Sequence, residues 1–246
     1  MKSMDLRIMT FNIRNGLADD GPNSWNYRKE LTAQVIKNAN PDVLGLQEVF
    51  DFQLSFLQSE LPEYECYSVG RDDGLAEGEH CSILWKKGRF HLANSGTFWL
   101  SDTPDVPGSH TWGNRITRIC SWVKFVEGFT FYNTHWDHES TLARLQSARL
   151  MGNVLTNAPW IYVGDFNSEP EWPEMVALRE IDGLQLTTLG GQTGTFHEFG
   201  GGIGGDRIDH IAVSVGVQFS EPKVLLNSMG ELYPSDHYPV VVDISV

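Results

Sequence analysis

Asp165 and Asn167 stand two residues apart just past Trp160-Ile161-Tyr162-Val163, four apolar residues rich in β-formers that read as a strand buried on both faces. Gly164 lets the chain turn sharply, and Pro170 stops any continuing ladder. A carboxylate and a carboxamide at the end of a buried strand need partners. Either they bond their own backbone in a turn, or they are held rigidly and aimed at something. The same arrangement, polar chemistry at or near the end of an apolar run, recurs at Asn12, Glu48, His135, Asp209, Asp236 and His237. Their hard oxygen ligands suit Mg²⁺, with Mn²⁺ as the alternative, and no sulfur ligand stands at a useful spacing. The histidines can orient or neutralise a phosphoryl group. Together the set suits metal-assisted attack of water on a phosphate ester.

The elements that must position these residues alternate through the first half of the chain. Residues 6–11 read as a buried strand ending at Asn12, followed by a long loop with Gly16, Gly21 and Pro22. From Tyr27 a helix puts Leu31, Val35, Ile36 and Ala39 on one face and stops at Asn40-Pro41. Residues 43–46 form a second buried strand leading to Gln47-Glu48, and residues 52–61 a second helix. Strands are expected over 64–69, 81–85 and 90–98, then an irregular stretch over 99–114. Residues 116–126 and 129–134 read as a hairpin turned at Glu127-Gly128. Leu142, Leu145, Ala148, Gly152 and Leu155 trace one helix face, with Ser140 or Thr141 as N-cap. A short helix over 173–180, a glycine-rich surface loop over 190–205, and strands over 207–213, 217–226 and 240–246 complete the chain. This pattern predicts a layered α/β sandwich.

The chain has 246 residues, 41% of them hydrophobic, and no linker, low-complexity tract or solenoid repeat, which reads as one domain over 1–246. Its net charge of −14, with 18 Lys and Arg, argues against a protein that grips long nucleic acid through its phosphates. Cys66, Cys81 and Cys120 are odd in number and widely spaced, which suits buried thiols better than disulfides or a zinc knuckle. No apolar leader opens the chain and no run approaches a membrane span, so a cytoplasmic location is the expectation. Oligomeric state stays open.

Six motifs carry a family resemblance: Thr10-Phe11-Asn12, Leu46-Gln47-Glu48-Val49, Asn133-Thr134-His135, Gly164-Asp165-Phe166-Asn167, Arg207-Ile208-Asp209-His210 and Ser235-Asp236-His237-Tyr238-Pro239. In kind and order they resemble the endonuclease/exonuclease/phosphatase superfamily with the DNase I-like fold. The resemblance implies an α/β (α+β) four-layer sandwich, two packed mixed β-sheets flanked by helices, with the site at one edge. It implies Glu48 as the main Mg²⁺ ligand, helped by Asn12, and Asp236 as a second acidic residue at the metal. Asp165 would orient or deprotonate the attacking water, and Asn167 would donate to the phosphate. His237 would face the phosphate, held in one tautomer by Asp209. His135 resembles the family's other phosphate-facing histidine, Glu79 the carboxylate that pairs with it, and Arg118 a charge for the transition state. Two departures matter. Glu48 is followed by Val49-Phe50, and Asn133-Thr134-His135-Trp136 stands where abasic-site endonucleases carry a tyrosine-containing segment. The Asn-Thr-His start looks more like the deadenylase, sphingomyelinase and inositol-phosphatase branches.

These readings predict a Mg²⁺-dependent hydrolase, phosphodiesterase or phosphatase, of a small or short phosphorylated substrate. Trp99 and Trp112 are loop anchors before they are substrate platforms, though their loop is placed to cap the site. The alternative is a Mg²⁺-dependent nuclease of exonuclease or deadenylase type on RNA or DNA. Asn133-x-His135-x-Asp137-His138 also lies one substitution from a zinc motif of metallo-β-lactamase-fold hydrolases, but that reading leaves the 164–167 and 235–239 motifs unexplained. A non-catalytic binding module on the same fold conflicts with the presence of every expected active residue. His91 and His197 are expected on the surface or in loops, Asp19, Asp20 and Asp105 in solvent.

Overall fold

The computed structural model describes residues 3–246. Two mixed sheets pack face to face. The first runs through β1 (Asp5–Asn12), β2 (Val43–Val49), β3 (Tyr64–Tyr67) and β4 (His80–Lys86). The second takes β5 (Leu92–Trp99), β6 (Ile119–Phe125), β7 (Thr130–His135), β8 (Trp160–Asp165), β9 (Leu184–Leu186) and β10 (Asp209–Ser214). Two short strands, β11 (Gln218–Phe219) and β12 (Lys223–Val224), and the last strand, β13 (Val240–Ser245), return to the first sheet. Its order is β11-β13-β1-β2-β4-β3 with β12 also on β13, and the second sheet's order is β5-β6-β7-β8-β10-β9. Helices α1 (Trp25–Ala39) and α2 (Asp51–Glu60) cover the outer face of the first sheet; α3 (Thr141–Val154) and α4 (Pro173–Arg179) cover that of the second.

Each sheet holds one parallel pair, and these two pairs fix where chemistry collects. β1 and β2 run parallel with Asn12 opposite Gln47, and β7 and β8 run parallel with His135 opposite Asp165. β10 is antiparallel to β8, so Asp209, its first residue, also faces Asp165. The expected four-layer sandwich therefore forms, with the polar strand ends at one edge. Between the sheets, alternate residues of β1 run Leu6, Ile8, Thr10, Asn12, apolar far from that edge and polar near it. Val43, Phe131, Ile161, Ile211 and Val242 pack with Leu6 and Ile8 in the inter-sheet core. Nearer the edge the buried Gln47 amide donates to Thr10 Oγ1 and Asn133 Oδ1, while Asn133 donates to the carbonyls of Leu46 and Ser82. These bonds satisfy polar groups that would otherwise be costly at such depth.

Several elements depart from the expected spans. α1 begins at Trp25 rather than Tyr27. The segment over 217–226 is two short strands rather than one, and β9 has only three residues, too few for a periodicity to register. α3 is capped by Ser140, whose Oγ accepts from Ala143 N–H. Its buried face, however, is Ala143, Arg144, Ser147, Ala148 and Met151, while Leu142 is exposed. The expected apolar stripe holds at Ala148 and Leu155 and fails at Leu142, while Arg144, buried against Glu174 of α4, takes an interior place that hydropathy assigns to leucine. Cys66, Cys81 and Cys120 are free thiols, and burial raises the pKa of each. Among the described residues no helix is long and apolar enough to cross a membrane.

Candidate active site

Asn12 ends β1 at the site edge with its side chain fully buried. Its Nδ2 donates to Glu48 Oε1 at 3.0 Å and Asp165 Oδ2 at 2.9 Å, and lies 3.5 Å from His237 Nε2. The Asn12 oxygen accepts from Arg14 N–H. In this arrangement Asn12 holds Glu48 and Asp165 together and turns its nitrogen, not its oxygen, toward them. Glu48 sits where the β2–β4 ladder shifts register between Leu46 and Val49, and its φ of 61° lies in the left-handed region. A bulge re-aims a side chain, and here it swings Glu48 off the sheet and into the cleft. Burial works against the Glu48 carboxylate, but the Asn12 amide, the charge of His237 and the Asn15 N–H outweigh it and hold its pKa below the usual value.

Asp165 ends β8, and Gly164 before it cannot be replaced freely: a Cβ there would lie 2.2 Å from the carbonyl oxygen of Thr134 on β7. That close approach keeps His135 and Asp165 side by side, with Nε2 and Oδ2 at 3.5 Å. The other Asp165 oxygen accepts from Asn167 N–H, and Asn167 Nδ2 donates to Trp136 O. The turn reading and the functional reading thus both hold, since the turn bond leaves Oδ2 facing the cleft. Burial, then the charge of Asp209, pushes the Asp165 carboxyl up to about 7. His237 Nδ1 donates to Asp209 Oδ2 at 2.8 Å, which turns Nε2 toward Asp165 Oδ2 at 3.7 Å. Burial opposes the imidazolium, but the Asp209 charge and hydrogen bond, with Asp165 and Asp236, lift its pKa to about 10.

These groups line a cleft of about 350 Å³ whose walls include Glu48, Glu79, Arg118, His135, Asp165 and Asp236. Asn167 and His237 line it too, so eight of the ten expected residues reach the cleft, with Asn12 and Asp209 directly behind it. Glu79 differs in its partners. It is bound by Asn15 Nδ2 and Arg71 Nη1 and makes no hydrogen bond to His135, whose Nδ1 is buried and unpartnered. Arg118 donates through Nη2 to His138 Nδ1. Glu48, His135 and Asp165 can each bring one donor atom within 4.8 Å of the others, with Asp236 in the same cleft, and a divalent cation fits that carboxylate-rich set.

Arg14, Asn15, Arg71 and His138 also line the cleft and were not expected there. Arg14 and Asn15 follow within three residues of Asn12, a signal the sequence did carry; nothing marked Arg71. Asp20, expected in solvent, holds the Arg14 guanidinium by two bonds, and Arg14 Nε lies 3.6 Å from Asp236. His197 lies in a loop but is buried, stacked on Tyr238 at 3.9 Å. His80 and His210 are buried structural residues, and His110 is exposed. Trp99 and Trp112 are both buried, donating to Arg71 O and Asp102 Oδ1, so they anchor their loop and do not cap the cleft.

A family model for the endonuclease/exonuclease/phosphatase family matches residues 9–237. The structure of a family protein from Bacteroides thetaiotaomicron superposes with a TM-score of 0.91 at 33% identity, covering 100% of this chain and 99% of that one. A mannosyl-6-phosphatase from the same organism gives 0.90 at 34% identity, covering 97% and 99%. A probable RNA exonuclease of Saccharomyces cerevisiae is 27% identical over 72% of this chain, which spans only 40% of that relative's length. With the two-sheet architecture and the edge cleft, these matches show that the chain belongs to the endonuclease/exonuclease/phosphatase family of phosphoester hydrolases.

Proposed function

We propose that the chain is a Mg²⁺-dependent hydrolase acting on the phosphate ester of a small or short substrate, by in-line attack of water. The observation that carries this reading is the convergence, in one cleft of about 350 Å³, of Glu48, Asp165 and Asp236 with the Asp209-oriented His237. Glu48 and Asp236 would hold the cation, with Asn12 fixing Glu48 in place. When bound, Mg²⁺ supplies positive charge to the phosphoryl oxygens and lowers the barrier to their developing negative charge. Asp165, pushed up to about 7, is poised near neutrality to orient the water and take its proton through Oδ2. His237 offers an Nε2–H to the phosphate, and Asp209 keeps the ring in that orientation. Asn167 has one N–H on Trp136 O and its second free to meet the phosphate. The cleft volume lies at the small end of ligand sites, and the mannosyl-6-phosphatase neighbour is a precedent for a small phosphorylated substrate on this fold.

A nuclease reading is supported by the likeness to the yeast exonuclease and to a 3'-5'-exoribonuclease subunit of Neurospora crassa. A panel of phosphomonoesters and phosphodiesters assayed with Mg²⁺, Mn²⁺ and Zn²⁺ tests the proposal. Activity with Mg²⁺ on small esters is expected, abolished in Glu48→Gln together with Mg²⁺ affinity by calorimetry, because a neutral amide binds a hard cation poorly. Equal Mg²⁺ affinity in parent and variant, or zinc-dependent turnover indifferent to Glu48, would overturn it.

A further inference from the structure

The floor of the cleft holds buried donors that no protein group meets. Arg118 is 4% exposed, and its Nε and Nη1 have no hydrogen-bond partner; neither does Arg71 Nε. Arg118 Nε lies 3.9 Å from Asp137, beyond hydrogen-bonding range. Of the two carboxylates that line this floor, Glu79 is already engaged by Asn15 and by the other end of Arg71, and Glu48 by Asn12 and the Asn15 N–H. Two guanidiniums thus face two carboxylates that are already bonded, and three guanidinium nitrogens, carrying four N–H in all, stay unmet. Unmet buried donors of this kind are costly and are rare outside functional sites.

Beneath the cleft, and lined by the same Glu48, Arg71, Glu79, Arg118 and His135, is a void of about 10 Å³. That is about the room one water-sized group requires. It admits a single oxygen and has no space for a carbon substituent. His237, Asp236 and Arg14 line the cleft but not this void.

We infer that Arg71 and Arg118 form a subsite for one terminal, unesterified phosphate oxygen, which makes the chain selective for phosphomonoesters over diesters. The inference rests on the phosphoester-hydrolase reading and narrows its substrate class. A monoester presents three non-bridging oxygens, so one can sit on the arginine floor while the others meet His237 and the cation side. A diester has only two. One of the three positions, the arginine floor, His237 or the cation side, must then face an ester oxygen and its substituent, and the arginine void has no room for that substituent.

The probes are p-nitrophenyl phosphate and p-nitrophenyl methyl phosphate, which share a leaving group, with Mg²⁺. Wild-type kcat/KM should favour the monoester, and Arg71→Gln should shrink the monoester-to-diester ratio by about 10- to 100-fold, the loss expected for a charge-assisted bond. Arg118→Lys, which keeps charge but loses the planar fork, should shrink it as well. A wild-type preference for the diester, or an equal loss on both substrates in Arg71→Gln, overturns the subsite. Calorimetry with orthophosphate and dimethyl phosphate reads it without turnover. Orthophosphate should bind more tightly, and Arg71→Gln should erase much of the difference; equal binding overturns the inference. Absence of turnover on every ester, beside a retained orthophosphate preference, would instead sink the hydrolase reading alone.

Discussion

Asp165 and His237 face each other across 3.7 Å, and each is assigned a task that exists only while the phosphoryl group is in flight. Asp165→Asn and His237→Ala should therefore lower kcat much more than they raise KM, by about 10²–10⁴ each. Their double variant should lose less than the product of the single losses, because groups acting as a unit are not additive. Steady-state kinetics on a small phosphomonoester decide it: a change confined to KM would make these residues binding groups. At this scale the sequence was informative where a residue closes a buried strand. Asp165, His135 and Asn12 were legible because a polar side chain after an apolar run must go to an edge. Asp209 and His237 were recognisable mainly through family motifs, and their 2.8 Å bond fits that expectation. Arg71 was not legible, since it arrives from a loop whose path depends on packing, and His138 was legible only as part of a zinc motif, not as the partner of Arg118. The partners of Glu79 were hidden for the same reason: Asn15 and Arg71 reach its carboxylate, and His135 does not.

At the scale of elements, two buried side chains hold the motif-bearing loops in place. Arg28 of α1 is fully buried and donates to the carbonyl oxygens of Ile13, Arg14, Asn23 and Pro234. It ties the loop after Asn12 to the segment that delivers Asp236, and burial lowers its pKa to about 10 against the pull of Asp236 and Asp20. Arg28→Leu keeps a side chain of helical propensity but strands those carbonyls, so a loss on the order of 3 kcal/mol is expected in urea unfolding. An unchanged unfolding midpoint would refute the clamp. His210 does similar work in the second sheet. Its Nε2 donates to Ser168 O at 2.9 Å, which leaves Nδ1 to accept from Thr188 Oγ1 at 2.7 Å and binds the 164–168 turn to β10. Burial lowers its pKa from 6.5 to about 4. Between those values the unfolded chain binds the proton and the folded chain does not. The contribution is therefore fully present above about pH 6.5 and is lost as pH falls toward 4, by about 3 kcal/mol in all. Urea unfolding at several pH values across that window should show a shallower decline in His210→Gln than in the parent. His197, also lowered to about 4 by burial, adds a decline of the same sign in both. Parallel curves would exclude His210 as a source. Neither clamp was legible in the sequence, because a buried Arg or His reads as a surface residue until the carbonyls that it satisfies are known.

For the whole molecule, charge decides what kind of substrate can approach. The chain carries a net charge of −14, yet Arg14, Arg71 and Arg118 gather in the cleft. Several arginines elsewhere are committed to carboxylates: Arg7 to Asp243, Arg115 to Glu139, Arg144 to Glu174 and Arg207 to Glu171. The cationic groups free to meet a substrate are therefore few and confined to a cleft that also holds Glu48, Glu79, Asp165 and Asp236, enough for one phosphate and not laid out as a track for many. A nuclease that follows a strand through 6–10 phosphates loses about 10³–10⁵ in affinity between 50 and 200 mM salt. A site that engages one or two single-strand phosphates should lose less than about tenfold over that range. Measured kcat/KM for a mononucleotide-sized ester and for a long oligonucleotide, at both salt concentrations, separates the cases. The small ester should be preferred, with a shallow salt dependence for either substrate. A strong preference for the long strand with a steep salt slope would mean that surface arginines leave their carboxylates to bind it, and the small-substrate reading would fall.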